Sequence, residues 1–349
     1  MPHPSLGYAA QSADSDLAPL RFDRRDPGPD EVLIEIEYCG VCHSDLHQAH
    51  NDWKSTLYPC VPGHEIIGRI TEIGSKVSKF SIGDRAGVGC IVDSCGHCGS
   101  CDEGLEQYCE KGMTGTYNGR LPDGTHTYGG YSQRVTVKQD YVLRIPDTLD
   151  AAAAAPLLCA GITTYSPLRN WKVGPGQKVG IVGLGGLGHM GVKLAHAMGA
   201  DVTLFTTSPG KAEDAKRLGA SRVVISKERD QMKAVRGEFD FILNTVAVAH
   251  NLDPFLACLR RDGVMVLVGA PDQPHPSPSI GQLLGKRRSL AGSMIGGIAE
   301  TQDMLDFCAE HGLVSDIEII AMDEINTAWE RMLKGDVKYR FVVDMATLK

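Results

Sequence analysis

The sequence predicts an α/β protein in which a doubly wound parallel sheet of the Rossmann type is joined to an all-β, barrel-like domain. Three observations predict it. An apolar strand pattern, Gln177 to Gly183, runs through a glycine loop, Leu184-Gly-Gly-Leu-Gly188, into helical spacing from His189 to Met198. After it, strand-like and helix-like runs alternate, which implies a parallel sheet covered on both faces. Before it lie short strand-like runs separated by turns such as Pro27-Gly-Pro29 and Pro62-Gly63.

The glycine loop has the order that a dinucleotide requires. Gly183 makes the tight turn, Gly185 lets backbone approach a pyrophosphate, and Gly188 lets the helix lie close on the strand; Gly186 and Leu187 complete the loop. The phosphates then face the positive end of the helix. A glycine-rich surface turn would share this composition, but the flanking strand and helix favour the cofactor reading. Further strands are read at Asp201 to Phe205, Arg222 to Ile225, Phe239 to Leu243 and Val264 to Val268. Where the second strand of an NAD site usually ends in an acid, this chain has Thr206-Thr207-Ser208, followed by Lys211. Hydroxyls and an ammonium accept a 2′-phosphate that a carboxylate would repel, which favours NADPH. A Ser/Thr turn with a solvated lysine is the plainer alternative, and NADH could still bind.

The chain has 349 residues, which suits two domains, and a net charge of −8, which gives no basic field for nucleic acid or an anionic membrane. The basic run Lys286-Arg287-Arg288 reads as a solvated loop or helix end. Met1 to Leu20 has no basic region followed by an apolar one, so no signal peptide is read there. The apolar run Ala151 to Ile162, interrupted by Pro156 and Gly161, falls short of the ~20 residues of a spanning helix. A soluble cytoplasmic protein is expected. In such a chain eleven cysteines point to reduced thiols and metal sites more than to disulfides.

The first domain shows strand-like runs at Val32 to Tyr38, Ile66 to Ile73 and Asp84 to Val88. Among them lie Cys42-His-Ser-Asp-Leu-His47 and Val61-Pro-Gly-His64-Glu65; taken singly, each suits a buried thiol or a hydrogen-bonded histidine. Cys95, Cys98, Cys101 and Cys109 are different: four thiolates this close form a closed tetrahedral zinc site with a structural role, in a lobe at about 90–112. Disulfides or a redox pair are the alternatives. Asp93, Asp102, Glu103, Glu106 and Glu110 around it argue against a nucleic-acid module. Thr114 to Gly130 reads as loop, Tyr131 to Val137 and Val142 to Ile145 as strands, and Asp150 to Ala155 as helix, while Cys159 reads from spacing as core. Near the end, a helix from Thr301 to His311 stops at Gly312, Asp323 caps another, and a strand at Phe341 to Asp344 returns to the first domain.

With these motifs in this order, together with Gly335-Asp-Val-Lys-Tyr-Arg340, the chain resembles the zinc-dependent medium-chain alcohol dehydrogenases. Within them it is similar to the cinnamyl-alcohol-dehydrogenase-like branch, which includes bacterial NADPH-dependent aldehyde reductases. The resemblance implies a GroES-like catalytic domain over 1–153, a Rossmann domain over 154–296, a return segment over 297–349, and an active site in the cleft between domains. It implies a catalytic zinc on Cys42, His64 and Cys159, with Glu65 able to take the fourth position. With the structural zinc that makes two Zn2+ per chain, beside NADP(H). Ser44 and His47 match a proton relay, with Asp52 as support and Asp45 orienting the zinc site. Cys39, Cys60, Cys90, Cys258 and Cys308 match no ligand and are read as buried structural cysteines. Gly115 stands where lignin-pathway members carry a tryptophan, so Trp53, Met294 and Ile295 are expected to line a tolerant apolar pocket. The implied reaction is reversible NADPH-linked reduction of aromatic and aliphatic aldehydes to primary alcohols by a homo-oligomer, dimer or tetramer. The rivals are an oxidative NAD-dependent alcohol or polyol dehydrogenase, a zinc-free quinone or enone reductase, and a catalytically silent nucleotide- or quinone-binding protein.

Overall fold

The computed structural model describes residues 3–271 and 273–349; Met1 and Pro2, where the N-terminal reading begins, lie outside the described residues. The chain divides into two compact units, Met1–Ile162 with Gly296–Lys349, and Thr163–Ile295. The sequence places the boundaries at 153/154 and 296/297; the alanine-rich run and Cys159 belong with the first unit.

The first unit is organised on the strand Glu31–Gly40, in which Val32, Leu33, Ile34 and Ile36 are all buried. An apolar run buried on both faces reads as a central strand, and each such side chain contributes roughly 1.5–3 kcal/mol. One edge of it pairs antiparallel with Ile66–Ile73, which continues to Arg85–Val88 and Leu143–Arg144. Its N-terminal half also pairs with Arg134–Lys138, and its C-terminal end with Arg340–Asp344, itself parallel to Ile317–Ile320. The C-terminal strand is thus built into the sheet made by the beginning of the chain. A short helix, His43–Ala49, follows the central strand, so Ser44 and His47 are helical residues.

A two-stranded hairpin, His3–Ala9 with Ala18–Arg24, was not legible: Pro4, Gly7 and Pro19 interrupt the alternation that marks a strand. The expected cap at Asp323 is not made. Instead the Glu324 carboxylate accepts from the Ala321 N–H at 2.8 Å, and a turn of 3-10 helix precedes the helix Ile325–Leu333. The helix Ile298–His311 ends at Gly312, whose φ of 64° is the left-handed closure the sequence indicated.

The second unit is a parallel sheet of six strands. Their spatial order is Arg222–Ile225, Asp201–Thr206, Lys178–Val182, Phe239–Asn244, Leu259–Leu267, Ser289–Gly292. Numbered along the chain this is 3-2-1-4-5-6, the doubly wound order whose switch point lies beside the first strand. The fifth strand starts earlier than expected because Arg260, Arg261 and Asp262 mask its beginning, and the sixth is too short to carry a strand signal in the sequence. No single helix among the described residues is long and apolar enough to cross a membrane. The helical pair Ala151–Leu158 and Ala160–Asn170 is apolar enough only when both are taken together, and it bends by 55°.

Candidate active site

That bend falls at Cys159, which leaves the helical conformation with φ −130°. Its Sγ lies 3.9 Å from Cys42 Sγ, so the residue that reads as core from spacing joins a cluster. Donor atoms of Cys42, His64, Glu65 and Cys159 all lie within 4.8 Å of one another, and all four residues are buried.

Asp45 holds the cluster from beneath. Its Oδ2 accepts from the Cys42 N–H at 2.9 Å and from the Tyr131 hydroxyl at 3.1 Å. Its Oδ1 accepts from the Gly63 N–H at 3.0 Å and from His64 Nδ1 at 2.9 Å. With Nδ1 committed, Nε2 is the histidine atom left to bind a metal. Burial lowers the basicity of His64, but the Asp45 carboxylate outweighs it and holds the ring well above its usual pKa. A hydrogen bond from the Cys159 thiol holds Cys42 well below the usual thiol range against the opposing effect of burial, with help from the Arg340 charge. Burial pushes Glu65 up to about 7, although Arg340 opposes it. Glu65 Oε1 accepts from Arg340 Nη2, and its Oε2 is buried without a partner. Gly40 makes room for this carboxylate: a Cβ there would stand 2.9 Å from the Glu65 Cβ.

Two thiols, an imidazole nitrogen and an orphaned carboxylate oxygen suit a zinc ion with one exchangeable position. The four cysteines Cys95, Cys98, Cys101 and Cys109 form the other metal-capable cluster. Four sulfurs bound tetrahedrally at 2.3 Å stand about 3.8 Å apart; here Cys98–Cys101, Cys95–Cys101 and Cys98–Cys109 are 3.5, 3.9 and 4.0 Å. None of the eleven cysteines is in a disulfide. The N–H groups of Cys95 and Glu110 donate to Cys109 Sγ and Cys98 Sγ, both at 3.4 Å, which stabilises thiolates. The Glu110 and Cys101 N–H groups bring Cys98 down to about 6.

Ser44 and His47 stand one turn apart on their helix, with no hydrogen bond joining them among the described residues; both are half-buried. His47 Nδ1 lies 2.7 Å from Asp52 Oδ2, and its ring is 5.9 Å from that of Trp53. Gly115 pairs with Ile91 in a short ladder, inside a segment read as loop. Tyr117, two residues on, faces the His64 ring at 5.7 Å. Met294 and Ile295 belong to the second unit.

In the second unit Gly183 has φ 92°, and a Cβ on Gly188 would collide with the Gly183 carbonyl. The helix Gly186–Ala197 starts directly from this loop, so its free N–H groups face the loop's end. Thr206 is buried and its Oγ1 accepts from the Ser208 N–H at 3.2 Å, whereas Thr207 and Ser208 are exposed. Lys211 Nζ donates to the Leu184 carbonyl at 2.8 Å, tying the end of the second strand to the glycine loop.

Tyr131 and Arg340 touch the cluster without being nominated from sequence: they are held to it by tertiary contacts, which no spacing reveals. Cys90, read as buried and structural, is half-buried, and its thiol points at the Leu158 carbonyl 3.8 Å away, next to Cys159.

A unit of GroES-like topology that carries both clusters, in a chain that also forms a Rossmann sheet, defines a zinc-binding dehydrogenase of the medium-chain class. Residues 28–147 match the alcohol dehydrogenase GroES-like domain and residues 186–310 the zinc-binding dehydrogenase family, and the chain belongs to the zinc-binding alcohol dehydrogenases. It is 63% identical to aldehyde reductase YahK of Escherichia coli (strain K12), over 97% of each chain. It is 54% identical to NADP-dependent alcohol dehydrogenase C 1 of Mycolicibacterium smegmatis, over 98% of each. Among solved structures it matches the CAD from Helicobacter pylori complexed with NADP(H), at 41% identity and TM-score 0.94 over 100% of both chains.

Proposed function

We propose that this protein is a zinc-dependent aldehyde reductase that uses NADPH to convert aldehydes reversibly to primary alcohols, and that it accepts aromatic and aliphatic substrates. The buried cluster of Cys42, His64, Glu65 and Cys159 carries this reading. Cys42, His64 and Cys159 would hold a zinc that would supply Lewis acidity to the substrate oxygen, and Gly183, Gly185 and Gly188 would hold NADPH, which would supply the hydride.

The chain's own residues do the rest. Asp45 fixes the His64 tautomer and ties both ligand-bearing segments together. Arg340 holds the Glu65 carboxylate through Oε1 and leaves Oε2, buried and unpartnered, as an oxygen that would be available to the metal. Ser44 Oγ gives the substrate oxygen its proton, and His47, one turn along and held through Nδ1 by Asp52, is the next group of the relay toward solvent. Aldehyde, NADPH and one proton thus become alcohol and NADP+. Thr207, Ser208 and Lys211 receive the 2′-phosphate, while buried Thr206 shapes their turn.

Gly115, in place of an aromatic wall, supports a broad substrate range. Ile280 and Leu284, 63% and 78% exposed on one short helix, support a homo-oligomer. Thiols that must remain reduced support a cytoplasmic location. The test is the initial rate of cofactor oxidation with benzaldehyde and with butanal, using NADPH and NADH in parallel. NADPH-linked reduction of both aldehydes is expected; equal or faster rates with NADH would overturn the cofactor assignment, and turnover of only one aldehyde the range.

A further inference from the structure

The first unit contains a cleft of about 300 Å³ that includes no residue of either cysteine cluster. Its walls come from the strands Ala18–Arg24 and Arg134–Lys138 and from the loop around His126. That volume is at the lower end of the range of about 300–1,000 Å³ for ligand pockets, enough for one ring.

The charges around the cleft do not balance in pairs. Arg25 is matched by Glu31 through two hydrogen bonds. Lys138 Nζ is matched by Asp93 Oδ1 at 2.9 Å. Arg24 has no such partner. Its Nη2 donates only to neutral oxygens: the carbonyls of Tyr128 at 2.9 Å and Gly129 at 3.1 Å, and Ser132 Oγ at 2.9 Å. Its Nε is buried without a partner, and no acid among the described residues pairs with it. His126 Nε2 is buried and unpartnered as well. Asp23, the other acid on the cleft wall, is exposed. Arg24 is half-buried with its Nε covered; a cation drawn out of water normally has a carboxylate beside it, and here burial instead pulls the guanidinium down to about 9.

The apolar side of the cleft is aromatic. Phe22 meets Tyr128 edge-on at 4.9 Å, His126 lies 4.9 Å from Tyr128, and the Arg24 guanidinium sits 4.9 Å over the Phe22 ring. We propose that this cleft is a second ligand site that takes a small aromatic monocarboxylate, with its carboxylate on Arg24 and its ring against Phe22 and Tyr128. A guanidinium that lacks a carboxylate is completed by one. Asp23 and Glu31 on the same walls disfavour a second negative charge, which selects a monocarboxylate over a phosphate.

The test is calorimetric titration of the zinc-loaded enzyme with benzoate and with its neutral counterpart benzamide, together with aldehyde kinetics at saturating benzoate. Benzoate is expected to bind about tenfold or more tightly than benzamide, the worth of one charge-assisted contact, and to leave KM for aldehyde unchanged. Arg24→Gln is expected to weaken benzoate by about tenfold with kcat retained, and Phe22→Leu, which leaves the Arg24 hydrogen bonds in place, by a smaller factor. No benzoate binding, equal affinity for benzamide, or purely competitive inhibition against aldehyde would overturn the proposal, the last because it would put benzoate at the catalytic cluster. The comparison of benzoate with benzamide and the competition assay use unmodified enzyme, so they decide the question even if Arg24→Gln does not fold.

Discussion

At the scale of single residues, the candidate site rests on Asp45 more than on any one ligand, because its two oxygens connect the Cys42 turn, the Gly63-His64 turn and Tyr131. Tyr131→Phe removes one hydroxyl from that set and leaves the ring that packs beside Gly63. It is expected to keep the fold and the four-cysteine zinc, and to lower zinc affinity at the catalytic cluster roughly tenfold. Competition with a chelator measures this, and unchanged retention would mean that Asp45 is positioned without the tyrosine. Lys211→Ala should raise KM for NADPH by about tenfold and KM for NADH much less, since an ammonium matters to the 2′-phosphate. Equal changes for both cofactors would reduce Lys211 to a staple on Leu184. Spacing alone could not bring Cys42, His64 and Glu65 together; only the family resemblance nominated them, and Cys159 with them, whose place depends on a helix that breaks at that residue.

At the scale of elements, periodic segments were legible and irregular ones were not. The strands Ile66–Ile73 and Arg222–Ile225 match their expected bounds, since alternation or an apolar run ends at clear turns. The N-terminal hairpin and the sixth Rossmann strand have no such signal. The cysteine lobe was legible from spacing alone, because four thiols separated by glycines leave few other structures. Cys98→Ser is expected to halve the zinc content from two ions per chain and to make residues 95–109 the first site of proteolysis; two retained ions would end the structural-zinc assignment. The turn that opens the central strand offers a pH test. Burial raises the Glu31 carboxyl, but its hydrogen bonds from Arg25 and from the Gly28 N–H prevail and hold it below the usual range. A depressed carboxyl stabilises the fold at neutral pH and loses that contribution as pH falls through its folded value. Glu31→Gln should therefore be less stable at pH 7, with the difference from the parent shrinking below about pH 4. A constant difference across that range, followed by thermal melting, would assign the loss to packing.

At the scale of the whole molecule, the first unit is closed by residues far apart in sequence. Arg340 and Glu65 are separated by 275 positions and form a buried ion pair. Arg340→Met fills a similar volume but leaves Glu65 without its counter-charge, which costs about 3–5 kcal/mol when one partner of a buried pair is removed. A fall in melting temperature together with weaker zinc retention is expected; an unchanged melting point would show that Glu65 is neutral in the parent. Composition suggested only two domains, and the sequence pattern already returned the strand Phe341 to Asp344 to the first of them, where it pairs with the central strand.

The same wiring has a consequence during synthesis. Cys42, His64 and Glu65 leave the ribosome long before the strand Arg340–Asp344 exists, and at about 5–20 residues per second the interval is roughly 15–55 s. Until then the C-terminal end of the central strand has no edge partner and Glu65 lacks its counter-ion, so the nascent chain presents open thiols and an exposed sheet edge together. A cluster with its counter-ion in place certifies that translation has passed Arg340.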